Sequence, residues 1–119
     1  RLRNTLTPDT AVSLRFEPVF PAMPLREVSL RAAEYARRVY AEIGATLNVS
    51  ETPTGGGTDA AFAASRSNAP VLEGFGLRNF GSHSNSLEYI DITSIEPRLY
   101  LLTRMIMDVS SDKLALGGR

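Results

Sequence analysis

Thr46-Leu47-Asn48-Val49-Ser50, Thr54-Gly55-Gly56-Gly57-Thr58-Asp59 and Ala60-Ala61-Phe62-Ala63-Ala64 follow one another closely, and their reading decides the fold. A short β-leaning run gives way to a glycine turn and then to a segment of good helix formers. The glycines permit backbone conformations closed to other residues, and Thr58 or Asp59 can cap the small helix that follows. Upstream, Val28, Ala32, Tyr35, Ala36, Val39 and Ile43 recur at steps of three and four, which predicts a helix ending at a left-handed Gly44. Further upstream, Val12, Leu14 and Phe16 alternate with polar or small residues, so a strand is expected over about residues 11–17, closed by Pro18, Pro21 and Pro24. Downstream, residues 70–75 read as a short buried strand and residues 77–86 as a loop rich in Gly, Ser and Asn. A last helix begins near Thr93 or Ser94. Thr93 and Glu96 have capping-box spacing, and Leu99, Leu102, Met105, Ile106 and Val109 form the expected buried stripe. Strand, helix, strand, small helix, strand, helix is the order of an α/β fold. The expected architecture is a partial, mainly parallel sheet with flanking helices.

Bulk properties narrow the function. The chain has 119 residues, 43% of them hydrophobic, with 13 basic and 13 acidic side chains. That balance gives no electrostatic reason to expect nucleic acid or an anionic membrane as partner. No apolar run approaches the roughly 20 residues of a membrane-spanning helix. Cysteine is absent, which excludes disulfides and thiolate metal sites but identifies no compartment. The sequence opens Arg1-Leu2-Arg3 without an initiator Met and is expected to be a piece of a longer protein.

Two loops carry the candidate chemistry. Glycine N–H groups ahead of a helix can receive an anion, so the loop from Thr54 to Asp59 is a candidate anion site; a tight turn with a capped helix explains the same residues. No Lys follows the glycines as a phosphate-binding P-loop requires. The second loop is Gly81-Ser82-His83-Ser84-Asn85-Ser86-Leu87-Glu88-Tyr89, which holds the one histidine of the chain. A catalytic zinc takes about three protein ligands. By residue chemistry alone His83 has no partner ligands beside it, and a surface histidine without a role remains open.

The ordered set Thr54-Gly-Gly-Gly-Thr-Asp-Ala-Ala-Phe-Ala-Ala64, Pro70-Val-Leu-Glu-Gly-Phe-Gly76, Phe80-Gly-Ser-His-Ser-Asn-Ser-Leu-Glu-Tyr89, Ile95-Glu-Pro-Arg-Leu-Tyr100 and Met105-Ile-Met-Asp108 resembles the C-terminal end of glutamate carboxypeptidases, within the aminoacylase and deacylase superfamily of zinc exopeptidases. The resemblance covers about residues 17–108. It implies that residues 1–17 end a dimerisation or lid domain and that residues 18–119 return to the catalytic domain. It implies two zinc ions per active site, with His83 as one metal ligand and the remaining ligands and the general base supplied by an N-terminal portion. It implies that Gly57 and Thr58 receive the substrate carboxylate, that Glu88 supports the histidine loop from behind, and that the whole enzyme is a homodimer acting on a small peptide or N-acyl amino acid. The piece by itself is then expected to be inactive.

The sequence departs from that pattern at one place. These carboxypeptidases usually carry an Arg just before the proline that ends the lid strand; here the residue is Glu17. Arg15 lies two residues earlier on the same strand face and is a candidate replacement, beside the reading that Arg15 and Glu17 are solvated strand charges. Two other functions compete with the hydrolase: a non-catalytic module that binds carboxylates, and a subdomain that self-associates through bare apolar faces.

Overall fold

The structure is a computed structural model, and it describes residues 2–3, 10–52 and 54–114. Helix α1 (Glu27–Ala41) and helix α3 (Ile95–Ser110) pack against each other and hold the core. Their seam is formed by Ala36, Val39 and Tyr40 from α1, Leu101 and Met105 from α3, and Leu47 from the segment after α1. Ala36 presents little bulk at this seam and lets the second helix approach. α1 ends as expected: Gly44 has φ +72°, and its N–H donates to the Ala41 carbonyl at 2.9 Å.

Sheet structure is slight. β1 (Leu2–Arg3) pairs with β2 (Ala11–Val12), and β3 (Asn79–Phe80) pairs with β4 (Tyr89–Ile90). Both ladders are antiparallel, the second in the register Asn79 opposite Ile90 and Phe80 opposite Tyr89. The expected mainly parallel sheet is therefore corrected: every ladder among the described residues is antiparallel. Of the strand expected over residues 11–17, only Ala11–Val12 pairs, and Leu14 and Phe16 are 79% and 86% exposed. Residues 46–50 and 70–75 form no ladder. A strand needs a neighbour for its N–H and C=O groups. These segments have none among the described residues and instead lay Leu47, Val49, Leu72 and Phe75 on the helical core.

The last helix differs from its expectation in two ways. It opens with a 3-10 turn, Ile92–Ser94, capped by Asp91 rather than by a Thr93–Glu96 box. The Asp91 carboxylate accepts from the Thr93 N–H at 2.9 Å and the Thr93 hydroxyl at 2.6 Å. Those bonds, the Thr93 hydroxyl first, hold the Asp91 carboxyl below its ordinary pKa, with Arg78 adding to the effect and partial burial opposing it. The buried face is Leu101, Met105 and Asp108, rotated from the expected stripe. Of that stripe only Met105 is buried; Leu99 and Ile106 are each 61% exposed. α3 is apolar on two sides, and the described residues cover one.

Candidate functional site

The glycine loop leads into α2 (Ala60–Arg66), a helix of seven residues. Thr58, not Asp59, supplies the local cap: its Oγ1 accepts from the Ala60 N–H at 3.1 Å, whereas the Asp59 side chain makes no cap bond. The carbonyls of Thr58 and Asp59 accept from Ala61 and Phe62, each at 3.1 Å. Gly57 is required sterically, because a Cβ there would lie 2.8 Å from the Phe20 ring. Phe20 in turn meets Phe62 of α2 with ring centroids 5.6 Å apart. The other end of α2 is held by Arg26, whose guanidinium donates to the Ala64 carbonyl and, at 2.6 Å, to the Ser67 carbonyl.

Gly57 and Thr58 line a broad cleft of about 1270 Å³, together with Phe20, Arg26, Glu73 and Arg98. Within it the Thr58 hydroxyl donates to the Glu73 carboxylate. A hydroxyl has one proton to give, so this bond uses the donor expected from the resemblance to meet a carboxylate. Sequence reasoning passes over Glu73. It lies fifteen residues from Thr58, and no local pattern links the two. Its position is fixed by the left-handed Gly74, φ +73°, whose carbonyl accepts from Arg98 at 3.2 Å.

His83 sits at the turn between β3 and β4. Gly81, φ +64°, makes that turn possible: a Cβ on it would lie 2.3 Å from the Leu87 carbonyl oxygen. The Ser84 N–H donates to the Gly81 carbonyl at 2.9 Å, the Leu87 N–H to the Ser84 hydroxyl at 3.2 Å, and Asn79 to the Ser82 hydroxyl at 2.6 Å. Phe80 and Tyr89 stack across the strands at 5.0 Å. His83 itself adopts φ +69°, an uncommon conformation for a residue with a side chain. Its ring is exposed and takes no hydrogen bond with any described residue.

The structure thus brings Gly57 and Thr58 into one cleft, and His83 is not among the residues that line it. Glu88 is exposed and makes no bond to His83. Arg15 pairs with Glu17 at 2.5 Å on an exposed segment outside the cleft. An unencumbered imidazole suits one zinc ligand. A complete zinc site needs more, and among the described residues no three His, Cys, Asp or Glu side chains converge. The described residues alone do not fit a held zinc.

Comparison with known proteins places the chain. Over 93 residues it is 47% identical to carboxypeptidase G2 of Pseudomonas sp. (strain RS-16), a stretch that is 78% of this chain and 22% of that protein. The chain therefore spans about a fifth of that relative's length. Residues 7–108, which include both the glycine loop and the His83 turn, match the family described as peptidase family M20/M25/M40. With that match extending over most of its length, the chain belongs to peptidase family M20/M25/M40, on its glutamate carboxypeptidase-like side.

Proposed function

We propose that this chain is part of a zinc-dependent carboxypeptidase or amidohydrolase that cleaves an amide bond next to a free carboxylate. The observation that carries the reading is the family match over residues 7–108. In this reading His83 contributes one ligand of a two-zinc centre, and the other ligands come from polypeptide beyond the described residues. Bound zinc would acidify a water and polarise the scissile carbonyl. Gly57 and Thr58 receive the substrate carboxylate, which must first displace Glu73 from the Thr58 hydroxyl. Arg15 and Glu88 are secondary members of the site, Arg15 toward a second substrate carboxylate and Glu88 behind the histidine turn. Pro18 marks the passage from a lid domain (residues 1–17) to the catalytic domain (residues 18–119), and the whole enzyme works as a homodimer on small peptides or N-acyl amino acids. The chain by itself is inactive, because a lone ligand cannot hold a catalytic metal.

A graft tests this. Residues 7–108 replace the corresponding stretch of carboxypeptidase G2, and the hybrid is assayed for release of a free amino acid from an N-acyl amino acid. The expected hybrid turns over, and His83→Ala in it loses both turnover and bound zinc. Full activity and full zinc content in His83→Ala would refute the reading.

A further inference from the structure

We propose that a second pocket, formed by Gly74, residues 76–80 and Arg98, binds the carboxylate of a small organic acid. The cavity is about 400 Å³, and its lining among the described residues includes Gly74, Gly76, Arg78, Asn79 and Arg98 but no acidic residue and none of Gly57, Thr58 or His83. Arg98 stands in the wall shared with the broad cleft. Two guanidiniums and two glycines at one concavity give fixed positive charge and room for close approach to backbone.

Arg98 keeps donor capacity for an occupant. One of its terminal nitrogens donates to the Gly74 carbonyl at 3.2 Å, and the guanidinium lies 5.8 Å from the Tyr40 ring centroid. Its Nε is closed in and has no hydrogen-bond partner among the described residues, and its second terminal nitrogen makes no hydrogen bond with them. An enclosed Nε is out of a ligand's reach, so the donors left for a carboxylate are on the terminal nitrogens. Arg78 is well fixed for the same task. Its N–H donates to the Ser94 hydroxyl at 3.0 Å, and its carbonyl accepts from Asp91 at 2.8 Å. Its side chain spends little on the protein: one nitrogen lies 3.5 Å from Asp91, whose other oxygen already serves Thr93. The remaining N–H groups of the guanidinium form the planar fork that matches a carboxylate. Phe80, 5.8 Å beneath the Arg78 guanidinium, and Leu77 add apolar wall, which suits a carboxylate carried on a short hydrocarbon body rather than an inorganic anion.

Titration of the 119-residue chain with hexanoate, followed by amide NMR, tests the proposal. The Gly74, Gly76 and Asn79 amides should shift saturably, and potassium chloride at equal ionic strength should not reproduce the shifts. Arg78 is itself exposed, and Arg78→Gln should weaken binding by about tenfold. Arg98→Lys keeps the charge but not the fork and should weaken it as well, with thermal unfolding confirming that each variant folds. The proposal is overturned if chloride gives the same shifts, if hexanoate moves the Gly55, Gly56 and Gly57 amides instead, or if both variants bind as the parent does.

Discussion

At the scale of the residue, His83 is held in a conformation that costs it stability. A left-handed backbone is unfavourable for a residue with a Cβ by about 1–2 kcal/mol, and glycine avoids that penalty at the expense of about 0.5–1 kcal/mol of chain entropy. His83→Gly should therefore unfold at slightly higher temperature than the parent, by roughly 0.5–1 kcal/mol in stability, while removing the imidazole. Calorimetry on the pair decides this, and a marked loss of stability would mean that the ring makes contacts the turn depends on. The identity of the loop is readable from its residues, since the order Gly-Ser-His-Ser announces it. Its strain is not readable. That the carbonyl of Leu87 closes to within 2.3 Å of a Cβ at Gly81 follows from the hairpin register, which only the fold establishes.

At the scale of the element, the α1–α3 seam combines apolar packing with a set of charged groups. Leu101 is fully buried, and Leu101→Ala should cost about 2–5 kcal/mol by the cavity it leaves. At the seam's edge Asp108, 2% exposed, accepts from the Tyr35 hydroxyl at 2.9 Å and from Arg104 at 3.2 Å. Glu42 accepts from the Tyr100 hydroxyl at 2.6 Å and from Arg104 at 2.5 Å. The tyrosine bonds first, and Arg104 with them, hold both carboxyls below their ordinary values of 3.8 and 4.5. A carboxyl with a depressed folded pKa binds fewer protons folded than unfolded, so its contribution is complete above those values and lost as pH falls below them. The melting temperature should be level through neutral pH and fall below about pH 4.5, and Tyr35→Phe should lower it at pH 7 and flatten the acid limb. An acid limb unchanged in Tyr35→Phe would contradict the role given to Asp108. Helices are the part of the fold that sequence periodicity reveals, because their hydrogen bonds are internal. α1 and its Gly44 ending follow from spacing alone. Strands over residues 46–50 and 70–75 do not follow, because a strand exists only with a neighbour. The rotated face of α3 escapes periodicity for a related reason: a helix apolar on two sides has no single stripe to read.

At the scale of the whole molecule, the chain is unusually open. Its radius of gyration is 20.1 Å, against about 13–14 Å for a compact domain of this length, and its extents are 66 × 42 × 18 Å. The uncovered side of α3, with Leu99, Leu102, Ile106 and Val109 exposed, is the largest consequence. Such a face drives association in water. Sedimentation velocity of the 119-residue chain should show mass rising with concentration, and Ile106→Glu should return it toward monomer; a clean monomer at high concentration in the parent would rule this out. No described helix is long and apolar enough to cross a membrane.

The least dimension, 18 Å, has a consequence for chemistry. A helix with its side chains occupies about 10–12 Å of such a thickness. No atom of this plate can then lie far from bulk water, and a charge placed in either of its open clefts stays in a high-dielectric setting, where preorganised dipoles act weakly. Strong electrostatic stabilisation of a hydrolytic transition state demands a dry enclosure. For either cleft to become one, its far wall has to be contributed by another stretch of polypeptide closing over the plate.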